Sequence, residues 1–209
     1  MPIVMCIDIG VIHLGLSVSE VSEDFLHREV VWMDLVDLTA FRHRAPMTRE
    51  ECDLYHTRNF ADWVEHFVRD HMEFFDYADL ILIEKQPPQG LVAVEQLLFA
   101  RFRHKTQLIH PRRVHAYLRI GHLDYEDRKK AVVQIVEREL CPYEKMLEQF
   151  SFYSRQHDVA DSLALLLYYC ARKSVEYRQQ KQREMWSRDE TGMTYVERLE
   201  RFRFVDDRI

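Results

Sequence analysis

Short runs of apolar residues predict the strands of a buried sheet. Residues 2–9 (PIVMCIDI) are apolar and β-branched and end near an acid, and residues 14–21 and 25–33 repeat the strand pattern at short spacing. Three strands joined by short links indicate an antiparallel meander. Residues 79–84 (DLILIE) and 106–110 (TQLIH) predict two more strands.

Longer segments with helical spacing lie between these strands and after them. Thr48 and Glu51 fit a capping box at the start of a helix that extends to about residue 75. The remaining segments are an amphipathic helix at 91–104, a short helix or turn at 114–121, a helix at 125–140 and a loop at 141–156. The order of elements predicts an α/β fold with a mixed five-stranded sheet flanked by helices.

The segment 157–170 (HDVADSLALLLYYC) places two acids before a long apolar run that predicts a buried helix. Asp158 and Asp161 are three residues apart and therefore share one helix face. Two like charges at the mouth of a buried helix need a counter-charge, and a divalent cation supplies one. The alternative is an N-cap Asp followed by a first-turn Asp that the helix dipole favours.

Two predicted strands also end in acids, at Asp8 and Glu84. An acid after four apolar residues, as at Glu84, does not follow the alternation of a surface strand. We expect Asp8, Glu84, Asp158 and Asp161 to meet at one end of the sheet. Four carboxylates fit two divalent cations, which at about 3.5–4 Å apart activate water and stabilise the leaving oxygen of a phosphodiester. Oxygen ligands favour Mg²⁺ or Mn²⁺ over Zn²⁺.

The charge of the chain is unevenly distributed. The net charge is -6, which by itself argues against nucleic-acid binding. Residues 101–130 nevertheless carry nine Lys and Arg against three acids, and a basic stripe of this kind is typical of a phosphate-binding surface. The alternative is a charged surface that is merely solvated. The residues of the stripe that we assign to DNA binding are Arg101, Arg103, Lys105, Arg112, Arg113, Arg119, Arg128 and Lys130.

Composition restricts the compartment and the domain organisation. The N-terminus lacks the basic region of a signal peptide, and no window is apolar enough to span a bilayer. The four cysteines are widely spaced, which predicts free thiols in a reducing intracellular compartment. At 209 residues the chain has the length of one domain, which we place at 1–175, followed by a charged, helical extension at 176–209.

Taken together, IDIG at 7–10, LILIEKQ at 80–86 and the segment 157–170 resemble the acidic motifs of RuvC-type Holliday junction resolvases, within the RNase H-like superfamily. Within this family, the sequence most resembles the single-domain members from poxviruses, other large DNA viruses and fungal mitochondria. The resemblance covers about residues 1–175. It implies an RNase H-like fold and paired nicking of four-way DNA junctions by a homodimer.

The resemblance also implies roles for individual residues. Asp8, Glu84, Asp158 and Asp161 match the metal ligands. HPRRVHAYL at 110–118 and DRKKAVVQIV at 127–136 are similar to the segments that carry the family's lysines. Lys129 matches the catalytic lysine, with Lys130 as the alternative, whereas His115 stands where the family has its other lysine. The helix at 91–102 is the expected dimer contact.

Two other functions stay open at this point. The chain could be another RNase H-like nuclease that cuts RNA/DNA hybrids or acts as an exonuclease, because the acids are shared across the superfamily. It could also be an inactive DNA-binding relative, although all four acids are present. The sequence leaves the roles of His115 and His157 undecided.

Overall fold

The computed structural model describes residues 1–10, 12–42 and 59–187. The strands are β1 (Ile3–Ile9), β2 (His13–Val21), β3 (Arg28–Asp37), β4 (Leu80–Glu84) and β5 (Thr106–Ile109). The helices are α1 (Phe60–Asp70), α2 (Met72–Tyr77), α3 (Val92–Arg101), α4 (Pro111–Tyr117), α5 (Tyr125–Leu140), α6 (Glu144–Phe152) and α7 (Gln156–Ser187). Strands and helices alternate after the first three strands, as predicted for an α/β chain.

The five strands form one mixed sheet in the order β3-β2-β1-β4-β5. The pairs β1–β2 and β2–β3 are antiparallel, whereas β1–β4 and β4–β5 are parallel. The predicted meander followed by parallel strands is therefore confirmed. Because β1, β4 and β5 run in the same direction, their carboxyl ends meet at one edge of the sheet, where α/β proteins bind ligands.

Each face of the sheet has its own hydrophobic core. Successive side chains of β1 alternate between the faces, so that Cys6 packs on one side and Met5 and Ile7 pack on the other. Helices α1, α2 and α3 cover the face of Met5 and Ile7, and helices α4, α5, α6 and α7 cover the face of Cys6. This two-sided burial explains why β1 and β4 are almost continuously apolar.

Helix α7 lies very close to β2. A Cβ atom built on Gly15 would stand only 1.8 Å from the carbonyl oxygen of Asp158 and 2.9 Å from the amide nitrogen of Val159. Two residues farther along β2, the hydroxyl of Ser162 donates to that of Ser17 over 3.1 Å in a fully buried contact. Gly15 and Ser17 are therefore small because the helix backbone occupies the space of larger side chains.

Two predicted boundaries were wrong. Residues 141–156 are not all loop, because α6 forms after Pro142 and buries Phe150 in the core. The third strand begins at Arg28 rather than at Phe25, which has a positive φ of 61°. Phe25 belongs to a turn in which the Ser22 hydroxyl donates to Asp24 over 2.5 Å.

Other predictions have mixed outcomes. The helix after the third strand begins in the described residues at Phe60, and the capping box at Thr48 and Glu51 lies outside them. The helix at 157–170 is confirmed and continues in α7 across residue 175, so the domain division proposed there stays a prediction.

Cys6, Cys141 and Cys170 are free thiols. Over the ranges the structure describes, none of the helices has the length and apolarity to span a membrane.

We expect Gly15→Ala to lower the free energy of unfolding by at least about 2 kcal/mol, because the added methyl group collides with backbone atoms rather than with a movable side chain. Gly121→Ala is the matched control, since its Cβ would meet nothing closer than 3.8 Å, and we expect it to change stability by less than about 0.5 kcal/mol. Urea unfolding of both variants measures the difference. Equal stabilities would contradict the close helix approach.

Candidate active site

Asp8 and Glu84 lie side by side at the carboxyl ends of the two central parallel strands. The register pairs Ile7 of β1 with Ile83 of β4, so the next residue of each strand is the acid. Asp8 is two residues after Cys6 and therefore faces the same side of the sheet, toward α7. Asp8 is buried and Glu84 is half-buried. The strands thus hold two carboxylates rigidly at one edge, as predicted.

Helix α7 brings Asp158 and Asp161 to the same place. The helix begins at Gln156, so Asp158 is its third residue rather than its N-cap, and Asp161 follows about one turn later. Asp158 is buried and Asp161 is half-buried. The structure therefore brings all four predicted acids together, and Asp158 lies in the first turn of α7 rather than at its N-cap.

The shared environment perturbs the acids strongly. Burial, the charge of Glu84 and a hydrogen bond to Glu84 raise the pKa of Asp8 well above its ordinary value. Burial likewise raises the pKa of Glu84 to about 7, although the hydrogen bond from Asp8 opposes the shift. Burial and the charges of Asp8 and Asp158 raise the pKa of Asp161. Such a group of mutually repelling buried carboxylates is typical of a functional site rather than of a structural one.

A single arginine neutralises Asp158. The Arg155 Nε donates to Oδ2 over 2.6 Å, and Nη2 lies 3.4 Å from Oδ1. The His157 Nε2 lies 2.9 Å from the same Oδ1 and 3.2 Å from Arg155 Nη2. One tautomer of a neutral imidazole cannot both donate to Asp158 and accept from Arg155 at Nε2, so only one of these contacts is a hydrogen bond at a time. Burial lowers the pKa of His157 and favours that neutral form.

The donor set fits hard divalent cations. All four side chains offer carboxylate oxygens, the ligands that Mg²⁺ and Mn²⁺ prefer, and three have pKa values raised in part by neighbouring negative charge. Among the described residues, no three His, Cys, Asp and Glu side chains already have the spacing of a formed metal site. The Asp8–Glu84 hydrogen bond and the Arg155–Asp158 ion pair use oxygens that cations would need. Cation binding to this site would therefore replace internal contacts.

Helix α5 places positive charge beside Asp161. The charges of Lys129 and Arg128 lower the pKa of Asp161 and so oppose the rise in pKa that burial causes. The Lys129 ammonium lies 4.2 Å from the ring centroid of Tyr125, one turn earlier in the helix and 61% exposed. Lys130, in contrast, faces solvent and pairs with Asp127 over 3.4 Å. The structure thus places Lys129, not Lys130, beside the acids.

The three cations of α5 lie after an acidic helix start. Asp124 caps α5 by accepting from the Asp127 amide over 2.9 Å, and acids occupy the first turn. Arg128, Lys129 and Lys130 therefore lie beyond the first turn, where the opposing helix dipole is weak. His115 of α4 is half-buried, and burial and the charge of Arg128 lower its pKa. His115 therefore favours a neutral imidazole at the position where the resembled family has a charged lysine.

The predicted basic stripe divides into two groups. Arg112, Arg113 and Arg119 are exposed on or just after α4, on the side of the sheet that carries α5 and α7. Arg101 and Arg103 lie at the end of α3, which covers the opposite face, and Arg101 pairs with Glu65. The Lys105 ammonium also belongs to this second group and donates to the carbonyl oxygens of Phe75 and Ala78 over 2.6 and 3.0 Å. Lys105 thus holds the end of α2.

Three residues of the site were not predicted. Arg155 precedes Asp158 by three residues, and Tyr125 precedes Lys129 by four, so helical spacing was the available signal for both. Glu95 of α3 is buried and accepts from the amide of Gln86 over 2.5 Å, which fixes the loop after Glu84. An isolated acid on an amphipathic helix carries no comparable signal in the sequence.

Comparisons with known proteins agree with this architecture. A profile of the family described as "Poxvirus A22 protein" matches residues 2–173. The fowlpox virus resolvase, solved with its substrate Holliday junction DNA, has a TM-score of 0.59 at 16% identity over 81% of this chain and 97% of its own. The yeast mitochondrial Holliday junction resolvase Ydc2 has a TM-score of 0.59 at 18% identity over 87% of this chain and 86% of its own. A search of curated proteins found no match. The structural matches confirm the predicted RNase H-like fold.

The raised pKa of Glu84 predicts how stability depends on pH when cations are chelated. The folded chain binds the proton more tightly than the unfolded chain, because the pKa rises from 4.5 to about 7 on folding. The contribution of Glu84 to the free energy of unfolding should therefore fall by about 1–3 kcal/mol as pH rises from about 4.5 to about 7, and should then level off. We expect Glu84→Gln to flatten this slope.

Urea unfolding with a chelator at a series of pH values measures this slope. Glu73→Gln, which removes an exposed carboxylate of α2 on the opposite side of the sheet, is the matched control and should retain the wild-type slope. A slope in Glu84→Gln equal to that of wild type would show that Glu84 is not the buried, destabilising acid.

Proposed function

The chain belongs to the Poxvirus A22 protein family, and from this membership and the geometry of the acids we propose that it is a metal-dependent endonuclease that resolves four-way DNA junctions. One observation carries the proposal: two strand ends and one helix deliver Asp8, Glu84, Asp158 and Asp161 to a single edge of the sheet. The structures of the fowlpox virus and yeast mitochondrial resolvases have the same fold, and the former was solved with Holliday junction DNA.

We infer that the four carboxylates together bind two Mg²⁺ or Mn²⁺ ions. When bound, these cations would activate water for attack on a phosphodiester and stabilise the oxygen that leaves. The protein contributes a rigid and poorly hydrated arrangement, because β1 and β4 fix Asp8 and Glu84 while α7 fixes the aspartates. Cations would also relieve the repulsion that raises the pKa values of these buried groups.

Lys129 is the residue that we assign to charge stabilisation. It lies beside Asp161 and its ammonium rests against the Tyr125 ring. A positive charge held at this position would stabilise the extra negative charge on the phosphoryl oxygens in the transition state. The exposed ring of Tyr125 limits the freedom of the long lysine side chain and so holds the charge near the acids.

The DNA backbone is expected on the side of α4 and α5. Arg112, Arg113 and Arg119 are exposed there, and Arg128 lies beside the acids. Arg101 and Arg103, at the end of α3 on the opposite face of the sheet, would contact a different part of a branched substrate, whereas the Lys105 ammonium already donates to the carbonyl oxygens of Phe75 and Ala78. Basic residues on both faces suit a substrate with several duplex arms.

Paired nicks require two active sites, and we propose that α3 forms the contact between two copies. Leu98 and Phe102 are buried within the chain and are therefore not available for such a contact. The outer side of α3 instead presents Ala93, Leu97 and Ala100, which line a shallow groove with Phe60 of α1. The two alanines are small enough to allow two helices to approach closely.

Replacement of one acid tests the enzyme assignment. We expect Asp161→Asn to lower Mg²⁺-dependent nicking of a four-way junction by at least about 100-fold, because it removes a ligand without changing the shape of the side chain. Junction, RNA/DNA hybrid and single-stranded substrates are assayed in parallel. Preference for the hybrid would favour another RNase H-like nuclease, and cleavage that survives in Asp161→Asn would overturn the metal site.

The two adjacent lysines provide an internally controlled test of the positive charge. Lys129→Ala should lower the cleavage rate by about 100-fold or more and leave junction binding within about threefold, because its role is in the transition state. Lys130→Ala should lower the rate less than fivefold. Single-turnover cleavage and gel-shift titration separate rate from binding. Equal rate losses would show that the structure does not distinguish the two lysines.

A further inference from the structure

Asp158 differs from the other three acids in how its charge is compensated. Asp8 and Glu84 are joined by a hydrogen bond, and Asp161 faces Lys129 and Arg128 of another helix. Asp158 alone is paired at both of its oxygens by a residue of its own segment, Arg155. The backbone carbonyl of Asp158 also lies against Gly15, so the start of α7 is fixed relative to β2.

Arg155 and Asp158 differ in how freely their side chains can move. The side chain of Asp158 is 6% exposed, whereas that of Arg155 is 40% exposed. Arg155 lies in the turn immediately before α7 rather than in the helix. The arginine can therefore leave by rotation of its own side chain, while the aspartate stays where the helix and the sheet fix it.

A cation bound at the acids would conflict with this pair. The guanidinium is always positively charged, and Arg155 Nε already uses Oδ2 of Asp158 at 2.6 Å. A divalent cation on the same carboxylate would compete for that oxygen and would repel the guanidinium at short range. The positive charge of Arg155 also acts on Asp8, so its effect extends across the site.

We propose that Arg155 is a built-in counter-cation that occupies Asp158 in the metal-free protein and is displaced when the divalent cation binds. This inference rests on the proposed function, because it requires that Asp158 is a metal ligand. Arg155 is a positioning residue: it keeps the four acids folded together in the absence of metal, and its removal makes the site bind metal more tightly.

A static role for Arg155 predicts the opposite result. If the arginine clamped Asp158 in position while metal was bound, its loss would loosen a ligand and weaken the site. If it were displaced, its loss would remove a competitor and strengthen the site. The sign of the change in metal affinity therefore distinguishes the two roles without any measurement of catalysis.

The experiment is a calorimetric titration of Mn²⁺ into the full-length protein. We expect Arg155→Gln to lower the dissociation constant by about tenfold, which corresponds to the loss of one competing charge-assisted contact. The same variant should unfold at a lower temperature than wild type with a chelator, and saturating Mn²⁺ should raise its Tm by more than it raises that of wild type. Arg155→Lys, which keeps the charge but not the two-point geometry, should fall between the two.

Arg172→Gln is the matched control. It removes an arginine from α7 itself, paired with Glu176 over 3.0 Å but about four turns from Asp158, and should leave the Mn²⁺ affinity unchanged. A direct readout is the Nε–Hε nuclear magnetic resonance signal of Arg155, identified by its absence in Arg155→Gln. Addition of Mg²⁺ should shift it toward the signals of exposed arginines.

The outcomes are distinct. Tighter Mn²⁺ binding by Arg155→Gln, together with the shifted arginine signal, supports displacement. Unchanged or weaker binding by the variant, where wild type binds Mn²⁺, overturns displacement and leaves the proposed nuclease function intact. A wild-type protein that neither binds Mn²⁺ nor cleaves junctions overturns both proposals.

Discussion

The close approach of α7 to β2 is the constraint on which the rest of the structure depends. The helix can reach the sheet because Gly15 has no side chain, and the Ser17–Ser162 hydrogen bond holds the two surfaces one step farther along. This contact sets the height of Asp158 and Asp161 above the carboxyl ends of β1 and β4. A helix farther from the sheet would separate the aspartates from Asp8 and leave neither pair with enough ligands for a cation.

That approach creates an electrostatic cost that the fold must offset. Acids delivered by three elements are buried together, and the raised pKa values of Asp8, Glu84 and Asp161 express burial and their mutual repulsion. The large apolar cores on both faces of the sheet provide the stability that allows this arrangement. Local rules of folding are commonly violated at functional sites, and here the violation is confined to one edge of the sheet.

The sequence predicted those parts of the fold that depend on local pattern. The five strands and their mixed topology followed from short apolar runs and the order of the elements. The convergence of the four acids followed from the two apolar runs that end in a carboxylate and from the acids at the start of the buried helix. Helix α6 was missed because its ends, near Pro142 and Tyr153, look like loop, and its stability comes from burying Phe150 in a core assembled from distant segments. Arg155 was missed because its importance comes from its ion pair with Asp158. The burial of Asp158, which makes that pair unusual, becomes visible only in the folded chain.

The positive charges of the site follow from the packing that buries α7. Val132, Val136 and Leu140 of α5 pack in the same core as Leu163 and Leu166 of α7, and this packing fixes the rotation of α5. Lys129, three residues before Val132, is consequently turned toward the side of α7 that carries Asp161. Tyr125 lies one turn earlier and supports the ammonium. The hydrophobic contact that holds the acids in place therefore also brings the lysine to them, so a chain with a net charge of -6 still places positive charge beside its acids.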